Sequence, residues 1–158
     1  MSVPNSQALN TTGNALATPA TSNAPLQSRA HLIASAPYFM VHDLAQALDY
    51  YCDVLGFARP YLWGDPPTFA MPQRDGFVVM LYQAEDAAGI HTNANRGGAW
   101  DAYFWVSDAE ALFTEFISKA ALVEYEPCVQ EYEIKEFAIR DVDGHVLAFG
   151  QHWPGSAS

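Results

Sequence analysis

From residue 35 the chain switches between two hydrophobic periods, and it does so twice. "SAPYFMVHD" alternates as a strand does and leads into "LAQALDYYCDVL". There Leu44, Ala47, Leu48, Tyr51, Cys52 and Leu55 recur at spacings of three and four, which predicts a helix with one apolar face. Asp43 with Gln46 suits a capping box at its start, and Gly56 suits its end. The design returns in "WDAYFWVSDAEALFTEFISKAA", with a stripe of Ala109, Leu112, Phe113, Phe116, Ile117 and Ala120. Ser107 with Glu110 is the matching box.

The two stretches are related by a constant offset. Tyr38, Phe39, Val41 and Asp43 match Tyr103, Phe104, Val106 and Asp108, each 65 positions later (108 − 43). "DGFVVMLYQ" (Asp75 to Gln83) matches "DGHVLAFGQ" (Asp143 to Gln151) at an offset of 68 (143 − 75). Two agreements with the same element order predict an internal duplication, each copy reading strand, helix, then three strands. "RPYLWG" and "TFAMP" are the expected middle strands of the first copy, with Pro66-Pro67 turning the chain between them. "LVEYEPCVQ" and "KEFAIR" are their counterparts in the second. The expected organisation is a flexible tail over 1–34 and one domain over 35–153. Within that domain, module one spans 35–83, a polar linker 84–98 and module two 99–153.

This order, with "DLAQALDYYCDVLGF" in the first copy and "EFAIRDVDGHVLAFGQ" at the end, resembles the vicinal oxygen chelate superfamily. That group includes glyoxalases, extradiol dioxygenases and bleomycin resistance proteins. The resemblance implies an α+β fold of two tandem βαβββ modules, with curved mixed sheets around a cavity lined from both copies. It also implies pairing as a homodimer, in which a cavity draws on modules of different chains. Fold alone does not fix activity, since the family holds both metal enzymes and metal-free binders.

Metal-dependent members carry their ligands on the first and last strands of the modules. By the matched motifs those positions are Ala36, Met80, Asp101 and Ala148. Alanine has no donor atom, a thioether is too soft for the divalent ions of this chemistry, and one carboxylate does not hold a catalytic ion. No metal or other cofactor is therefore expected. Of the five histidines, His31 lies near the tail, His42 beside a helix cap, His145 at a turn and His152 after the last strand. His91 stands in the linker, which can fold over a cavity. None has a second ligand at helical or strand spacing, and no Ser-His-Asp, Cys-His or Gly-rich phosphate motif is present.

Strand alternation then assigns the cavity lining. With Ala36 and Asp101 facing inward, so do Tyr38, Met40, Tyr103 and Trp105, while Phe39, Val41, Phe104 and Val106 face the helices. On the closing strands Met80 and Ala148 set the phase, which turns Val78, Tyr82, Val146 and Gly150 inward. Trp63 and Phe69 stand at the rim. The expected binding residues are Tyr38, Met40, Trp63, Met80, Tyr82, Asp101, Tyr103 and Trp105. Aromatic faces beside a carboxylate suit an aromatic, cationic small molecule.

Charge supports that sign of ligand. The chain has 7 Lys and Arg against 18 Asp and Glu, and residues 1–34 hold one Arg and no acid. The rest therefore carries 18 acids and 6 bases, a surface that repels nucleic acid and anionic membranes. The same acids also serve solubility. Half the residues are hydrophobic, so the chain is globular, and no apolar run reaches the length of a membrane span. Two cysteines, Cys52 and Cys128, fit reduced thiols in a cytoplasmic protein. The resulting reading is a metal-independent binding protein of bleomycin-resistance type that sequesters its ligand. The alternatives are a lyase, isomerase or dioxygenase of the same superfamily built on Asp101 and a displaced histidine, and a structural or regulatory dimer whose cavity is filled by its own side chains.

Overall fold

The computed structural model describes residues 30–153, so the predicted tail lies outside the described residues up to position 29. The chain divides into the units Met1–His31 and Leu32–Ser158, and every element below belongs to the second. The first half contains β1 (Tyr38–Val41), α1 (Leu44–Asp49), β2 (Leu62–Gly64), β3 (Pro67–Ala70), β4 (Gln73–Arg74), β5 (Phe77–Val78) and β6 (Met80–Gln83). The second contains β7 (Ala102–Trp105), α2 (Ala109–Ser118), β8 (Leu122–Val129), β9 (Ile134–Arg140) and β10 (Val146–His152).

Two sheets form with equivalent strand orders, β1-β6-β3-β2 and β7-β10-β9-β8. In each, the first strand lies parallel to the last, with Tyr38 opposite Met80 and Tyr103 opposite Ala148, and the other pairs are antiparallel. The fold is α+β with mixed sheets, as the resemblance implied.

The helix starts repeat atom for atom. Asp43 accepts from Gln46 N at 3.0 Å, and Asp108 accepts from Ala111 N at 3.0 Å. Gln83, on the neighbouring strand, accepts from Leu44 N at 3.1 Å, and Gln151 accepts from Ala109 N at 3.0 Å. Each helix thus satisfies orphan N–H groups with one cap and one strand-borne amide. The expected cap Ser107 is one residue too early. Asp108 has the extended backbone (φ −150°) a cap requires, in register with Asp43.

Other details depart from the predicted pattern. The single helix expected over Leu44–Leu55 is α-helical only to Asp49 and continues as a π-turn over Tyr50–Val54. Two adjacent tyrosines at the start of that turn reach the second half. The Tyr50 hydroxyl donates to Arg140 O at 2.7 Å and accepts from Leu122 N at 3.0 Å, and the Tyr51 hydroxyl donates to Asp141 at 3.1 Å. On α2 the stripe stops early: Ile117 is exposed, and Ala120 lies past the helix end with φ +62°. "DGFVVMLYQ" is not one strand either. Asp75 and Gly76 both have positive φ, the geometry of a tight hairpin turn, so β4–β5 folds back before β6 begins. His152, expected after the last strand, is its final residue.

One core joins the halves. Phe39, Val41, Leu44, Leu48, Tyr51 and Leu81 from the first pack with Phe116, Phe137, Ile139, Leu147 and Phe149 from the second. Phe104 and Val106 pack against it, as the alternation predicted. The helix-bearing faces of both sheets are therefore largely covered within the chain.

Candidate functional site

With the helix faces largely occupied, the opposite sheet faces are the broadest surfaces left. On the second sheet, Ala148 sits in register between Tyr103 and Ala138. Ala138, Val146 and Ala148 form a small apolar floor with Trp100, Tyr103 and Tyr125 against it. Gly150 lies directly beneath the Tyr103 ring, where a methyl group would stand 2.6 Å from Cζ.

A buried carboxylate lies in this floor. Glu136, on β9, is 1% exposed. Its Oε2 accepts from the Tyr103 hydroxyl at 2.8 Å, and its Oε1 accepts from Tyr125 at 3.2 Å and Tyr132 at 2.8 Å. Trp100 Nε1 donates in turn to the Tyr125 hydroxyl at 3.1 Å. Burial first, and then the hydrogen bond to Glu136 and its charge, pushes all three phenols up, Tyr132 to about 12, so each stays a donor. Above the network, Tyr103 stands 5.0 Å from Trp100 and 5.2 Å from Trp105 between ring centroids, at angles of 58° and 64°. Trp105 also stacks on His152 at 4.5 Å.

The residues expected to line one cavity are distributed among several surfaces of the chain. Tyr103 and Trp105 border a cleft of about 890 Å³ that runs from Ser35–Pro37 past the β4–β5 hairpin and along α2 to Phe116, with Phe104 and Phe149 in its wall. Arg74 and Glu115 close its wall with a two-bond ion pair at 3.0 and 2.8 Å. Tyr38, Met40 and Asp101 border a second cleft of about 440 Å³, together with His91 and His145. Trp63, Met80 and Tyr82 line neither. Tyr82 is stacked with Tyr38 at 6.2 Å, and Trp63 leans on Phe69 at 5.5 Å, so the first sheet carries its own aromatic face. Tyr38, Trp63 and Trp105 are 55%, 42% and 56% exposed, so each face keeps exposed rings, while Ala138, Val146 and Ala148 are buried beneath Trp100, Tyr103 and Tyr125.

Asp101 is held by the backbone. One oxygen accepts from Asn93 N at 2.7 Å and the other from Val146 N at 2.8 Å, tying the linker to the start of β10. His145 is likewise engaged: its Nδ1 pairs with Asp141 at 2.9 Å and its ring stacks on Phe39 at 4.5 Å. Burial acts to lower the His145 pKa, but the Asp141 bond and the charges of Asp141, Asp101 and Asp143 outweigh it, and the net shift is upward. A raised histidine contributes stability fully below its unfolded pKa of about 6.5 and loses it as pH rises through the folded value. Thermal melts from about pH 6 to 9 should show that decline. His145→Gln should lack it, and identical profiles would contradict the assignment.

A divalent ion does not fit the residues present. Ala148 is buried among alanine and valine, Asp101 has both oxygens bonded, and Ala36 lies before β1 with no donor to offer. Among the described residues no three of His, Cys, Asp or Glu converge as a metal-binding group. Cys52 and Cys128 are free thiols, and no described helix is long and apolar enough to cross a membrane.

Glu136, Tyr125, Tyr132 and Trp100 were absent from the sequence-derived set. The signal was present in "KEFAIR": a glutamate within an apolar strand, two residues from Ala138, shares that residue's face.

Two four-stranded sheets of equivalent order, each with one helix on its inner side, define a paired βαβββ fold with outward sheet faces. Residues 30–149 match the model of the Glyoxalase/Bleomycin resistance protein/Dioxygenase superfamily, and the chain belongs to that superfamily. Similar solved structures include TioX from Micromonospora sp. ML1, with 19% identity and a TM-score of 0.61 over 75% of this chain and 98% of that one. The bleomycin-binding protein of Streptomyces verticillus, complexed with copper(II)-bleomycin, is 19% identical with a TM-score of 0.59 over 77% and 97%. A glyoxalase-related enzyme from Clostridium phytofermentans is 12% identical with a TM-score of 0.63 over 80% and 99%. At these identities the likeness is one of fold. Among curated proteins none matches the chain in sequence.

Proposed function

We propose that this protein is a metal-independent binder of an aromatic, cationic small molecule, sequestering it without chemical change. The observation that carries the reading is the floor around Ala148. Where a metal ligand of the superfamily would stand there is a methyl group, and around it Trp100, Tyr103 and Tyr125 offer rings instead of donors. Aromatic faces without coordinating atoms favour stacking and cation–π contact over activation of a bound oxygen. The fold likeness to the S. verticillus bleomycin-binding protein, complexed with copper(II)-bleomycin, supports antibiotic sequestration as the purpose.

The binder works as a two-fold homodimer, in which the aromatic face of one chain's first sheet opposes the second-sheet face of its partner. Exposed Tyr38, Trp63 and Trp105 on outward faces support this, because closure by a second copy gives a ligand two walls. Light scattering at micromolar concentration should give twice the chain mass, and a monomer would refute the pairing. The unpaired thiols favour residence in the cytoplasm, which cell fractionation tests.

Aromatic cations should quench tryptophan fluorescence more than aromatic anions of the same size. Trp105→Ala should weaken binding about fivefold to tenfold, the worth of about 1 kcal/mol of stacking. Trp153→Ala should matter less, since Trp153 lies past β10 and packs against Lys135 at 3.9 Å. Tighter binding of anions would overturn the reading.

A further inference from the structure

We propose that Glu136 is the charge that selects the cation, acting through the rings of Tyr103, Tyr125 and Trp100, and that the preferred ligand group is an alkylated ammonium needing no N–H donor. The inference deepens the binding reading above and rests on it.

Glu136 is almost fully buried, yet among the described residues no Lys, Arg or His forms an ion pair with it. Its neighbours are neutral phenols. Three hydroxyls occupy its oxygens, from half-buried Tyr103 and Tyr125 and exposed Tyr132. A phenol that donates to a carboxylate gains electron density in its ring, which deepens the negative face a cation seeks. The charge is also poorly screened, because water is kept from it. Gly150 permits this arrangement, since its missing side chain is what allows Tyr103 to lie across β10 and reach Glu136.

Asp101 is the weaker candidate for the same role. Both its oxygens are held by backbone N–H groups, with no ring between it and the surface. Glu136 likewise has its oxygens filled, but by hydroxyls whose rings relay the charge to the surface. A ligand there meets π faces and not a free carboxylate oxygen. Primary ammonium, whose advantage is donating N–H bonds, therefore gains nothing over a trimethylammonium group. The latter is less strongly hydrated and buries more apolar surface.

The test uses the full chain and three probes: benzyltrimethylammonium, benzylammonium and neopentylbenzene, the uncharged carbon isostere of the first. Wild type should bind benzyltrimethylammonium at least as tightly as benzylammonium, and both more tightly than neopentylbenzene. Glu136→Gln should weaken benzyltrimethylammonium about fivefold, the effect of removing a nearby charge in a medium of intermediate dielectric, and leave neopentylbenzene unchanged. Tyr132→Phe removes one of the two hydroxyls bonded to Oε1 and leaves Tyr125 on it, so the freed lone pair should let benzylammonium gain relative to benzyltrimethylammonium. If Glu136→Gln binds all three as wild type does, the assignment to Glu136 falls while the binding reading stands. If Glu136→Gln fails to fold, an unchanged probe order in Tyr132→Phe overturns the assignment. Wild type that binds none of the probes ends both.

Discussion

Asp141→Ala is expected to lower stability by about 3–5 kcal/mol, the cost of deleting a buried, multiply bonded charge. Asp141 is 2% exposed and sits where the two halves meet. One oxygen accepts from Asp143 N and His145 N, both at 2.9 Å, and so shapes the Asp-x-Asp-Gly turn. The other accepts from the Tyr51 hydroxyl at 3.1 Å and pairs with His145 Nδ1 at 2.9 Å. Alanine leaves these donors inside the protein without an acceptor, including one on a fully buried tyrosine of the first half. Asp141→Asn should be milder, because one carbonyl oxygen remains and the imidazole can exchange tautomers to meet the amide. Urea titration provides the comparison. A loss below about 1 kcal/mol for the alanine variant would mean that the joint is held elsewhere.

Gly150→Ala is the second large effect, at about 2–3 kcal/mol. A glycine-to-alanine change inside a strand ordinarily helps, since glycine has more freedom to lose. Here the new methyl would overlap the Tyr103 hydroxyl and stand 2.6 Å from Cζ and 2.9 Å from Cε1. Tyr103 has little room to retreat between Trp100 and Trp105, and retreat breaks its bond to buried Glu136. The mechanism predicts its own rescue. In a Tyr103→Ala background the methyl meets no ring, and the further loss from Gly150→Ala should shrink to a few tenths of a kcal/mol. Equal losses in the two backgrounds would place the strain elsewhere.

Much of the fold was legible because it is written twice. The 65-residue offset paired Asp43 with Asp108, and both prove to be caps. The alternation in "YFMV" and "AYFW" separated the ring that faces the core from the ring that does not. Less legible were features set by single local geometries. The π-turn at Tyr50–Val54 keeps the apolar residues of a helix, so its period alone does not betray the widening. The Asp75-Gly76 turn was hidden because "DG" followed by "FVVMLYQ" was aligned to the second copy's strand, whereas its own turn chemistry marked a hairpin.

The surroundings of Tyr103 were only partly legible. Alternation groups Tyr103 with Trp105, which do adjoin, and the family pattern points to Asp101, whereas the carboxylate bonded to Tyr103 is Glu136. Glu136 comes from a middle strand, and its partners Tyr125 and Tyr132 are 11 and 4 residues away in sequence. Only the antiparallel pairing of β8 with β9 and the chain reversal after β8 bring those hydroxyls onto one acid. No single-strand pattern encodes that convergence.

The central claim, binding without metal or chemistry, is tested most directly by recovering the ligand. Purified protein treated with chelator and incubated with benzyltrimethylammonium should retain the compound through rapid gel filtration or equilibrium dialysis at the same affinity as untreated protein. Mass spectrometry of the released compound should return the starting mass in full. Loss of binding on chelation, or a recovered compound of altered mass, would contradict the account.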